Sequence, residues 1–165
     1  VSLPGDPADS AIASVIVNAD VSAVNTYDGT QWLSATRNAD GTWDTSGGLT
    51  SIDSKSAYWV TTSSFAPIEV AIPDRSFTAA PPAIAVVEGW NLLPVNDPGQ
   101  QAQNTNVAAN TYLGAPASAT SDAPWIAAVT YDPSTAAYAK VVPGGNVKVG
   151  SAYFVYYRAD GVIIP

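Results

Sequence analysis

The chain has no histidine, cysteine or methionine, and charged residues make up only 12% of it. Without thiols it has no disulfide framework, and without thiol or imidazole it lacks the softer metal ligands and the commonest general base. A serine nucleophile would then need a lysine or carboxylate as base, and no Gly-x-Ser-x-Gly motif occurs. No apolar run approaches the roughly 18 residues that a membrane-spanning helix needs. Basic side chains are scarce: six Lys and Arg stand against fourteen Asp and Glu, for a net charge of −8. Nucleic-acid binding by phosphate neutralisation is therefore not expected. No Asn-x-Ser/Thr sequon is present, so N-glycosylation is not expected either.

What is there is apolar and turn-rich. Apolar residues make up 47% of the 165 positions, with 12 Gly and 13 Pro as punctuation. A chain of this length buries roughly 70% of its unfolded surface, enough for a core without metal or disulfide support. Ser56-Ala57-Tyr58-Trp59-Val60 is answered by Ser151-Ala152-Tyr153-Phe154-Val155. Upstream, the pairs Tyr27-Asp28 and Tyr131-Asp132 each follow an apolar run. Downstream, Glu69-Val70-Ala71-Ile72-Pro73 matches Gly161-Val162-Ile163-Ile164-Pro165. At the head, Val1-Ser2-Leu3-Pro4-Gly5-Asp6-Pro7 can be laid on Leu92-Leu93-Pro94-Val95-Asn96-Asp97-Pro98. Four blocks in one order predict a two-copy internal repeat: residues 1–73, a connector at 74–83, and residues 84–165. Gly89-Trp90-Asn91 precedes the second head block and nothing precedes Val1, which suggests a processed or excised piece.

Strands are predicted at 21–27, 31–36, 42–44, 57–62 and 68–72, then at 84–87, 90–95, 125–131, 137–142, 152–157 and 162–164. Asp28-Gly29 and Asp40-Gly41 read as hairpin turns joining the first three into a meander. One helix is expected at 9–17, capped by Asp6 or Asp9, and at most one helical segment within 99–109. The fold class is all-β, with at most one short helix per half, in a β-sandwich or barrel-like unit.

The order Gly89-Trp90-Asn91-Leu92, Tyr-Asp turn, Ala-Tyr-Trp/Phe-Val resembles a module of large secreted and cell-surface proteins of bacteria and archaea. The resemblance covers nearly the whole chain. Phe154 replaces the final Trp, and Lys55 stands where Gly is usual. It implies an extracellular or cell-surface setting and a β-rich fold, with no chemistry and no cofactor. The expected function is non-catalytic: a building block of a surface layer, filament or large surface protein, with copies of itself or neighbouring modules as partners. Assembly candidates are Val1, Ser2 and Leu3, at an incomplete first strand open to β-augmentation, and Tyr156 and Tyr157 in the aromatic strand. On this reading, removing residues 1–7 abolishes assembly and leaves the monomer folded.

Two alternatives stay open: a carbohydrate-binding or adhesion module using Trp32 and Trp43 beside hairpin turns, and a virion decoration or fibre protein. Trp59, Trp90 and Phe154 are expected to fill a core. The carboxylate pairs Asp6/Asp9, Asp40/Asp44 and Asp97/Asp122 read as turn or capping residues. Calcium is the one cation the sequence raises, at Asn38-Ala39-Asp40-Gly41, where an Asp-Gly turn explains the residues better.

Overall fold

The computed structural model describes residues 1–64, 83–96, 105–114, 125–142 and 144–164. The expected strand at 68–72, most of the connector, and Asp97 and Asp122 lie outside them. The described residues are mostly β, in several antiparallel sheets, with two one-turn helices.

In the first half, α1 (Ile12–Val15) precedes β1 (Val21–Tyr27), β2 (Trp32–Arg37), β3 (Trp43–Asp44) and β4 (Trp59–Thr62), in the sheet order β3-β2-β1-β4. The two Asp-Gly hairpins form as expected: Tyr27 pairs with Trp32, and Arg37 with Trp43. Gly29 and Gly41 take φ of +96° and +87°, a region that disfavours other residues. Asp28 and Asp40 brace the turns by accepting hydrogen bonds from Thr30 and Thr42 respectively.

In the second half come β5 (Ile84–Val86), β6 (Gly89–Pro94), β7 (Asn106–Ala108), α2 (Ala109–Tyr112), β8 (Trp125–Asp132), β9 (Ala137–Val141), β10 (Asn146–Lys148), β11 (Ala152–Tyr157) and β12 (Gly161–Ile163). Their sheets are β6-β11-β8-β9, β10-β7 and β12-β5. Strand β11 is central in its sheet, and its period-two pattern buries Tyr153, Val155 and Tyr157.

Positions aligned by sequence make the same bonds in both halves. The Thr26 hydroxyl donates to Ala57 O at 2.7 Å, and the Thr130 hydroxyl to Ala152 O at 2.9 Å. The phenol oxygens of Tyr58 and Tyr153 each accept a backbone N–H from five residues earlier, Asp53 and Lys148, both at 2.8 Å. Val24 pairs with Val60, and Ala128 with Val155. Each pairing then shifts register at the same place, since Val21 meets Thr62 as Trp125 meets Tyr157. That bulge explains why buried positions along β1 and β8 break strict alternation. Ile12 N–H donates to Thr50 O just as Ala109 N–H donates to Gly145 O, where each helix begins.

The register also corrects the head alignment by one residue. Ser2 bridges to Ala57 where Pro94 pairs with Ala152, so Ser2 corresponds to Pro94 and not to Leu93. The helix expected at 9–17 shortens to one turn. Asp9 accepts from Ala11 N–H and the Ser14 hydroxyl, whereas Asp6 accepts from the N–H and hydroxyl of Ser54. Among the described residues, buried apolar side chains form two clusters, one per half: Ile12, Val24, Ile52 and Tyr58 belong to the first, and Tyr112, Trp125, Val155 and Tyr157 to the second.

Candidate functional site

The first strand segment stitches the halves together. Val1 and Tyr58 exchange both backbone hydrogen bonds, the amino group donating to Tyr58 O at 2.7 Å and Tyr58 N–H to Val1 O at 2.9 Å. From the same segment, Ser2 N–H donates to Gly150 O and the Ser2 hydroxyl to Val95 O, both at 3.1 Å. A third link comes from buried Asn96, whose side-chain amide donates to Ser54 O. The Val1 side chain stands in solvent while its amino group turns inward, and burial pushes that amine down to about 6.

Beside this seam lies a cleft of about 530 Å³. One wall is β4 from Trp59 to Thr62; the other includes Leu92, Tyr131, Pro133 and Phe154. Two rows of rings cross between the halves. Trp59 lies 4.9 Å from Tyr131, which in turn lies 5.3 Å from Tyr138. Trp32 sits between Tyr27 at 5.4 Å and Phe154 at 6.0 Å. Tilted and edge-on rings at these spacings add about 0.5–1.5 kcal/mol per pair beyond their area. The surface offers flat apolar faces, hydroxyls and main-chain polar groups, which suits packing and stacking.

The assembly candidates fall in different places. Val1 is exposed, Ser2 is buried in the seam, and Leu3 packs against the first core. Residues 1–6 are therefore part of the fold, and removing residues 1–7 would strip bonds from both halves instead of sparing the monomer. Tyr156 is half-buried and meets the Trp90 ring edge-on at 5.4 Å. Tyr157 is fully buried, its hydroxyl donating to Leu113 O, so it serves the second core and offers no surface to a neighbour.

Of the stacking candidates, Trp32 is 53% exposed, whereas Trp43 is half-buried against the first core with the Arg37 guanidinium 4.7 Å above its ring. Three rings expected in a core are not there. Trp90 is 43% exposed, and Trp59 and Phe154 line the cleft half-buried. Alternation along β6 turns Asn91 inward, where its amide is satisfied by Val87 and Gly89, and so turns Trp90 outward.

Asp28, Asp40, Asp44, Asp53 and Asp132 are engaged in local turns, whereas Asp6, Asp20 and Asp160 accept from Ser54, Ser64 and Glu88, far along the chain. Hydrogen bonds, led by the hydroxyls of Thr30, Thr42 and Ser134, hold Asp28, Asp40 and Asp132 below the usual carboxylate range. Asp40, the residue that raised calcium, is occupied in this way by Thr42. Among the described residues no three acidic side chains gather where they could hold a metal ion. Tyr131, Tyr138 and the edge of β4 were missed by sequence reasoning. The alignment of Tyr131 with Tyr27 marked only a turn, although a tyrosine at each hairpin mouth was the available signal. No family model, curated protein or solved structure matches the chain.

Proposed function

We propose that the chain is two copies of one β-module, and that it is a non-catalytic building block of an extracellular layer, filament or large surface protein. The single observation that carries this reading is the seam. Two halves with the same internal bonds dock on each other through main-chain edges and crossed aromatic rings. A module that binds its neighbour this way within one chain has the chemistry to bind further neighbours between chains. Among the described residues the four-stranded sheets end at β3 and β4, and at β6 and β9, edges of the kind that pair with further strands. The acidic, cysteine-free composition suits an extracellular setting.

Sedimentation velocity over a concentration series tests the reading. A sedimentation coefficient that climbs with concentration is expected, and a single monomeric species throughout would refute it. One observation favours a second reading: the exposed face of Trp32 is available to stack on a sugar ring. Glycan binding lost in Trp32→Ala at unchanged melting temperature would support it, and absence of glycan binding would remove it.

A further inference from the structure

The two halves meet through the faces that their sheets turn away from their own cores. Tyr153, Val155 and Tyr157 point into the second core, so Phe154 and Tyr156 lie on the opposite face. Tyr58 and Val60 pack on the first core, so Trp59 lies opposite in the same way. The contacts across the seam are reciprocal. Trp59 of the first half meets Tyr131 in the second hairpin, and Phe154, its counterpart, meets Trp32 in the first. Each outer face thus recognises the other through corresponding positions, as in a two-fold contact.

Two residues further along β11, the same face of the second sheet opens to solvent. Tyr156 pairs with Trp90 on one side and Ala127 on the other, and the Trp90 ring meets it edge-on. Trp125 and Ala128 both point inward, which puts Ala127 and the bulge residue Ile126 on the outer side between them. Val141 is buried opposite Ala128, so the next side chain, Val142, also turns outward. Ile126 is 46% exposed and Val142 58%. The first half supplies the comparison. Register places Thr61 where Tyr156 stands, Ser22 where Ile126 stands and Thr36 where Val142 stands, and all three are exposed. A sheet of this kind therefore folds with a hydroxylated surface there, and the apolar residues of the second half answer to something outside their own core.

We infer that Trp90, Ile126, Val142 and Tyr156 form a self-docking face, and that its occupant is the same face of a second copy of this chain, related by a two-fold axis. Two observations choose that occupant. The face is continuous with Phe154, two residues back along β11, where the contact within the chain already joins outer face to outer face through Trp32. A neighbour's first half offers Ser22, Thr36 and Thr61 at the corresponding positions, so the matching apolar surface on another copy is this face itself. The site rests on the assembly reading above and names one of its contacts. A two-fold contact closes on itself, so an array uses a further contact elsewhere.

Sedimentation velocity over a concentration series tests the face, on the whole chain and on a variant that carries the first half's residues: Ile126→Ser, Val142→Thr and Tyr156→Thr. The wild-type chain is expected to form a dimer, and the variant to dimerise at least about tenfold more weakly with an unchanged circular dichroism spectrum. If the triple variant does not fold, Ile126→Ser and Val142→Thr, both at exposed side chains, carry the test singly, each weakening dimerisation by about threefold or more. Dimerisation indifferent to these substitutions overturns the face and leaves the assembly reading standing. A dimer that the variant loses, and that grows no further at any concentration, supports the face and overturns the array. A wild-type chain that stays monomeric overturns both, and glycan binding by that monomer, lost in the variant, gives the face to a sugar instead.

Discussion

Tyr58 and Tyr153 show how single side chains fix the strand ends. Each phenol oxygen satisfies a backbone N–H in the loop leading into its strand, and leaving such a group unpaired costs about 1–3 kcal/mol when it is shielded from water. Tyr58→Phe and Tyr153→Phe should each lower the stability from urea denaturation by that amount, with little loss of ring packing. The same phenols set an alkaline limit. Burial pushes Tyr58 up to about 12 and raises Tyr153 and Tyr157 above the usual 10.0. The folded chain thus holds phenolic protons that the unfolded chain releases. Their contribution is complete below pH 10 and is lost as pH rises through the folded value of each phenol, about 12 for Tyr58. Tyrosinate absorbance should show these three groups titrating together with unfolding; their titration in a chain that stays folded would contradict this.

The elements depend on their turns. Gly29 and Gly41 share a left-handed φ that costs another residue about 1–2 kcal/mol. They differ in surroundings. A Cβ at Gly29 would lie 2.7 Å from Val87 Cγ2 in the other half, while one at Gly41 meets nothing within 4 Å. Gly41→Ala should therefore cost about 1–2 kcal/mol, and Gly29→Ala about 1–3 kcal/mol more. Val87→Ala in the Gly29→Ala background should recover part of that excess, as thermal denaturation of the three variants would show.

Much of this level was legible. Strands β1 and β11 have the bounds that composition and period predict, since each is long and rich in β-branched or aromatic residues. Strands β7 and β10 were not, because each has three residues and a single valine, too short for a period to register. The exposure of Trp90 was hidden for another reason: a tryptophan in an apolar run reads as core until Asn91 is known to take the inward place.

At the scale of the molecule, the two halves make corresponding internal bonds and are joined at the seam, and the proposed duplication follows from that correspondence. The doubled Ser-Ala-Tyr-aromatic-Val signal pointed to two corresponding halves, but not to the seam, whose bonds come from Ser2, Asn96 and backbone atoms with no motif of their own. Removing residues 1–7 should lower the melting temperature as well as any assembly, because Val1, Ser2 and Asp6 each bond residues far along the chain. The central claim, that the chain builds an array from repeated contacts, is tested most directly by electron microscopy of the concentrated purified chain. Filaments or sheets with a regular subunit repeat are the predicted result; a field of isolated monomers at every concentration would contradict it.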